Sequence, residues 1–159
     1  MPLSVIFALM SEKKYPFVVR VYGIYHEPGL GYLVSDEFIF GRHVTKFPGG
    51  GLEFGEGTID CLRREMMEET DQEFEVLDHL YTTDFFVPSA FNDSLQVISV
   101  YYRMRPIGTL KVKTASVPFA FSKLEEGAQT FRWIDEHDMS QEVFTLEIDR
   151  KVGEMLRAS

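Results

Sequence analysis

The sequence predicts an α/β fold. Segments rich in β-branched and aromatic residues are interrupted by one helical pattern mid-chain and followed by another near the C-terminus, and such a set buries its apolar faces by laying helices on a sheet. With 159 residues, 45% of them hydrophobic, the chain is long enough for a substantial core but short for two, so residues 1–159 are read as a single domain.

Residues 17–25 and 32–40 read as a pair of strands joined by the turn-forming run Glu27-Pro28-Gly29-Leu30-Gly31. A short extended run over 44–47 enters a loop of three glycines, Gly49, Gly50 and Gly51. Ile59, Leu62 and Met66 recur at helical offsets and predict a helix over 58–70, with Gly57 as an acceptable N-cap. Residues 74–87 and 95–104 read as strands joined by the polar, proline-containing segment 88–94, and 131–134 as the last strand. Ile148, Val152, Met155 and Leu156 share one face of an amphipathic helix over 145–157 that covers the sheet. No internal repeat, low-complexity tract or linker breaks this series.

A net charge of −9 and a pI near 4.9 argue against a general nucleic-acid surface, which needs a basic stripe, so no DNA or RNA partner is expected. An anionic substrate would then need metal and a few local cations. Cys61, the only cysteine, forms no internal disulfide and reads as a packed thiol. The N-terminus lacks a basic stretch followed by an apolar core, and no run is long enough to span a bilayer; a soluble cytoplasmic protein with no membrane partner is the expectation.

The chemistry concentrates in residues 50–72. Glu65, Glu68 and Glu69 crowd one region of the predicted helix, and like charges at helical neighbour spacing repel unless a cation stands between them. Three glycines just upstream let the backbone pass close to a charged ligand. Neither a P-loop nor a dinucleotide fingerprint fits: no Gly-Lys-Ser/Thr follows, and Phe54 stands at the last glycine position of the latter.

Gly50, Glu56, Arg64, Glu65, Met66, Glu68 and Glu69 match in register the pattern G-x5-E-x7-R-E-U-x-E-E-x-G-U, in which U is bulky and aliphatic, and so the segment resembles the signature of the Nudix hydrolases. A chance match of its six fixed positions at a given start is on the order of one in ten million. Asp71 departs where the family has glycine, which straddles a left-handed turn, and Gln72 departs where it has an aliphatic residue. Neither departure touches a carboxylate.

The resemblance implies a Nudix-type α/β/α sandwich with a mixed central β-sheet. It also implies a pyrophosphohydrolase that uses Mg²⁺, with Mn²⁺ as the alternative, to cleave a nucleoside diphosphate linked to another moiety, such as a nucleoside triphosphate or nucleotide sugar. Gly50, through its carbonyl, with Glu65, Glu68 and Glu69, would hold metal, and Glu56 would be a further ligand or outer-shell contributor; Glu65 is also a candidate to act on the attacking water. Arg64 would position a glutamate through an ion pair, a task suited to its forked guanidinium. Some members recruit a later glutamate as general base, for which Glu125 and Glu126 are candidates by position, with Glu126 preferred. Relatives of this kind are often dimers, so the resemblance allows a homodimer.

Arg20, Arg42, His43 and Lys46 lie on strands or loops before the glycines and are considered for a distal phosphate, with Arg42 and Lys46 preferred. Phe91 is the candidate to stack on a base, whereas Phe85 and Phe86 read as core. His26, His79 and His137 show no ligand spacing. The competing reading is a non-catalytic Nudix-like module that senses or binds a nucleotide. A branch acting on isoprenyl diphosphates with a catalytic cysteine is disfavoured by the position of Cys61 within the helix.

Overall fold

The computed structural model describes residues 17–159. Two mixed sheets form the centre. In the first, β1 (Phe17–Ile24) lies between β5 (Gly49–Gly51), antiparallel to it, and β7 (Gln96–Pro106), parallel to it; β6 (Phe74–Thr82) flanks β7 on the far side. In the second, β3 (Gly31–Ile39) pairs with β9 (Gln129–Ile134) along one edge and with β2 (His26–Glu27) and β4 (Arg42–Lys46) along the other, while β8 (Thr114–Ala115) runs parallel to β9.

Two helices cover the sheets, α1 (Thr58–Thr70) and α2 (Glu147–Arg157), each over its own core. Strand alternation divides the residues between them. Val21 and Leu33 pack with Cys61, Leu62 and Met66 of α1, while their neighbours Tyr22 and Val34 pack with Ile148, Val152 and Leu156 of α2. The architecture is the expected α/β/α sandwich.

Several details differ from the sequence reading. Residues 17–25 and 32–40 do not pair, because β5 and β7 occupy both edges of β1. The turn at residues 27–31 closes instead on the two-residue β2, and the chain passes from one sheet to the other near Tyr25, whose carbonyl accepts from Leu33 N at 3.0 Å. Ile59 is 40% exposed, and Cys61 takes its place in the buried stripe. The glycines form a strand rather than a free loop, because their backbone pairs in register with Arg20, Val21 and Tyr22.

Both departures after α1 have a local cause. Asp71 adopts the left-handed conformation (φ 52°, ψ 36°) and caps the helix, its N–H donating to Met67 O at 2.9 Å. Gln72 is buried, and its amide is fully used: Nε2 donates to the carbonyls of Ile107 (3.1 Å) and Thr109 (3.0 Å), and Oε1 accepts from Lys111 N (2.9 Å). The amide ties the 107–111 segment to the end of α1, work an aliphatic side chain cannot do.

Candidate active site

The site starts from the packing of α1 against β5. A Cβ at Gly50 would stand 2.3 Å from the Glu65 carboxyl carbon, so only glycine lets the helix and the strand meet with that carboxyl between them. The neighbouring carbonyls are tied by side chains. Lys46 Nζ donates to Gly49 O (3.1 Å), and Arg64 Nη2 (3.0 Å) and Cys61 Sγ (3.4 Å) donate to Gly51 O. The Gly50 carbonyl receives none of these donors.

Arg64 is the hub. Its Nε and Nη2 grip Glu56 in a two-pronged pair at 2.9 and 2.6 Å, and Nη1 reaches Glu65 at 3.1 Å and both oxygens of Glu68 at 3.4 Å. Hydrogen bonds from Arg64 and from the Glu53 N–H hold the Glu56 carboxyl down at about 2. Glu56, expected as a ligand, is therefore engaged as the partner that fixes Arg64. The Cys61 thiol, buried and next to Glu56, is pushed up to about 12 and stays protonated, in keeping with a packing role.

Glu69 is different. Burial raises its carboxyl to about 7, Glu37 and Glu65 add to the rise, Lys46 opposes it, and Oε2 is buried without a hydrogen-bond partner. Lys46 itself is buried yet stays charged: burial pulls its pKa down, but Glu37 at 2.8 Å, with Glu69 and Tyr22, more than offsets this. Glu68 is open, its side chain 58% exposed. Among the described residues, no three acidic, histidine or cysteine side chains converge on one point as they stand.

Beside the glutamates lies a largely apolar pocket of about 770 Å³, within the range of a small-molecule site. Its walls come from β1, β4, the 87–97 segment and the start of α2, and Arg20 and Lys46 stand where it meets the glycine strand. Arg20 Nε donates to Tyr22 Oη at 2.7 Å, and Tyr22 is the main cause holding the guanidinium above its usual pKa. Lys46 and Phe91 line the pocket. Arg42 does not: its Nη1 donates to Ala90 O (2.9 Å) and its guanidinium lies 5.5 Å from the Phe91 ring centre, bracing the 88–94 segment. Strand alternation sends His43 to the opposite face, among Phe38, Phe119 and Phe121.

Glu126 does not join the α1 carboxylates through hydrogen bonds. Its oxygens accept from the N–H groups of Phe40 (2.6 Å) and Gly41 (3.3 Å) in the β3–β4 turn, and Glu125 pairs with Lys123 at 2.8 Å.

The model of the NUDIX domain matches residues 14–154, nearly the whole chain. The chain belongs to the Nudix family. It is a Nudix pyrophosphohydrolase, a class that acts on phosphorus-containing acid anhydrides. Solved structures agree on the fold. A NUDIX hydrolase from Nitrosomonas europaea superposes with a TM-score of 0.65 at 19% identity, over 89% of this chain and 88% of that one. A MutT protein from Methanosarcina mazei Go1 gives 0.64 at 17% identity, over 92% and 97%. An ADP-ribose pyrophosphatase from Streptococcus suis gives 0.56 at 14% identity, over 87% and 86%. No curated protein sequence matches. No helix among the described residues of this Nudix chain is long and apolar enough to cross a membrane.

Sequence reasoning missed three residues around the site. Glu37, the half-buried partner of Lys46, sits in a strand that carries no motif. Asp149 is wholly buried on α2, where it accepts from Tyr101 Oη at 2.6 Å. Phe40 lines the pocket beside Phe91. Of the three, only Asp149 had a usable signal, since it follows Ile148 at the edge of the apolar stripe.

Proposed function

We propose that this Nudix enzyme hydrolyses the diphosphate linkage of a nucleoside diphosphate joined to another group, such as a nucleoside triphosphate or a nucleotide sugar, with Mg²⁺ or, alternatively, Mn²⁺. The observation that carries this reading is the junction of the α1 glutamates with an apolar pocket through two cations, Arg20 and Lys46. A diphosphate with an organic group on one side matches that division of charge.

The donor set suits a hard divalent ion, which takes carboxylate and carbonyl oxygens. Glu69 keeps an unpartnered buried oxygen, Glu68 is held only at 3.4 Å, and the Gly50 carbonyl is left without a side-chain donor. We assign Gly50, Glu68 and Glu69 to holding the ion, with Glu65 alongside. When bound, the ion would polarise the phosphoryl oxygens and lower the pKa of an attacking water. Glu65, pressed against Gly50, accepts the proton of that water. Arg64, locked by Glu56, holds Glu65 and Glu68 in place. Lys46 and Arg20 balance charge on the phosphates, and the pocket takes the organic group. Two of the superposable structures bear substrate names of this kind, ADP-ribose pyrophosphatase and UDP-X diphosphatase, which supports the class without fixing the member.

The test is a panel of nucleoside triphosphates, nucleotide sugars and dinucleoside polyphosphates assayed with Mg²⁺, with Mn²⁺ and with chelator. At least one should be hydrolysed with metal and none with chelator, and Glu68→Gln should lower turnover strongly on the best substrate without loss of fold by circular dichroism. Equal turnover by Glu68→Gln and wild type would remove the metal assignment; no turnover of any member would favour a nucleotide-binding module.

A further inference from the structure

The mouth of the pocket carries a strained aromatic residue that the hydrolytic chemistry does not require. Phe40 in the β3–β4 turn has φ of +49°, a conformation that bulky residues rarely adopt, yet the residue is 72% exposed and lines the pocket. Strain of this kind persists where surrounding contacts over-determine it, and here the contacts are visible. Glu126 reaches the turn from 86 positions further along the chain and takes the N–H groups of Phe40 and Gly41 on its two oxygens. A charged acceptor shared by two successive amides fixes the turn more firmly than a neutral one.

At the mouth, Phe91 packs directly against Phe40, with ring centres 5.3 Å apart and planes tilted by 47°, so the pair offers its outer faces and leaves no slot between the rings. Phe91 is itself braced: Arg42 lies over its ring and bonds to the carbonyl of Ala90 just before it. Two aromatic rings on different segments thus stand at the pocket mouth, each anchored by a charged side chain on its own segment's backbone or face.

We propose that Phe40 and Phe91 form an aromatic platform on which the base of a nucleotide stacks, and that Glu126 is the positioning residue that holds Phe40 in it. This rests on the nucleotide reading above. Every nucleobase has a π-face, so the platform selects for a base without choosing strongly among them. It also gives Glu126 a role unlike that of a general base: it acts through the turn and never touches the reacting water.

The test uses wild type, Phe40→Leu, Phe40→Tyr, Glu126→Ala and the double variant Phe40→Leu/Glu126→Ala. AMP, UMP and ribose 5-phosphate are titrated by ligand-observed saturation-transfer NMR, and KM and kcat are measured on the best nucleotide substrate. Wild type should bind both nucleotides more tightly than ribose 5-phosphate. Phe40→Leu should lose about tenfold in AMP affinity, and Phe40→Tyr should retain it. Glu126→Ala should raise KM without lowering kcat, and should add no further loss in the double variant.

Equal AMP binding by Phe40→Leu and wild type overturns the platform and leaves the hydrolase reading intact. Failure of wild type to prefer AMP over ribose 5-phosphate overturns the nucleotide reading and the platform with it. A fall in kcat at constant KM in Glu126→Ala, with the acidic limb of the pH–rate profile lost, makes Glu126 the base and overturns its positioning role.

Discussion

Each helix buries one carboxyl group that has an oxygen without a hydrogen-bond partner: Glu69 on α1 and Asp149 on α2. Burial pushes both up to about 7, and Lys46 opposes the rise in both. Their company differs. Glu69 stands beside Glu65 and near an exposed Glu68, at the edge of the Arg64 network, whereas Asp149 is closed in against Tyr101 within the core beneath α2. Burial alone therefore does not single out a carboxylate for the proposed chemistry. What sets Glu69 apart is a second and third acid at hand, close to a backbone that tolerates no side chain.

The largest effect expected from this contrast is on catalysis. Glu65→Gln should lower kcat by about 10²- to 10⁴-fold, as loss of a positioned base does, with little change in melting temperature. Asp149→Asn should leave most of kcat in place; a comparable fall in both variants would erase the distinction between the two helices.

The next effect is on stability and runs the other way. Burial raises the Asp149 carboxyl from its ordinary 3.8 to about 7, so between those values the folded chain binds the extra proton and stability falls as pH rises. Its contribution is present below about pH 4 and lost by about pH 7. Asp149→Asn keeps an acceptor for Tyr101 but has nothing to ionise. It should match wild type near pH 4 and exceed it at pH 8 by up to about 4 kcal/mol, read from denaturant midpoints at both pH values. A gap independent of pH would show that the group is not carrying that proton.

Smaller effects should appear at the C-terminal end of α1. Gln72→Leu restores the family's aliphatic residue but strips partners from Ile107 O, Thr109 O and Lys111 N, and should destabilise by about 1–3 kcal/mol with kcat unchanged. Asp71→Gly relieves the left-handed strain and should stabilise by a few tenths to about 1 kcal/mol in the same unfolding assay.

What could be read in advance followed the range of the interactions. The bounds of α1 were legible because its periodicity and caps lie within the segment itself, and Glu65, Glu68 and Glu69 were legible because their spacing is local. The pairing of β1 was not. Its partners β5 and β7 include three glycines with no strand propensity and a segment some 80 residues away, and the tempting neighbour across the turn belongs to the other sheet. Spacing brought Glu56 near the glutamates as a further ligand or outer-shell contributor, and only the fold shows both its oxygens on Arg64. Arg42 and Glu126 likewise hold backbone that lies close only in the folded chain.

The chemical silence of Cys61 has a practical consequence. As the sole thiol in the sequence, sealed under the glycine strand and held protonated up to about 12, it should ignore maleimides and iodoacetamide at neutral pH. A cysteine installed on an exposed loop would then take a fluorophore or spin label alone, with no need to strip the native one first. The enzyme comes ready for distance measurements between any chosen pair of surface positions.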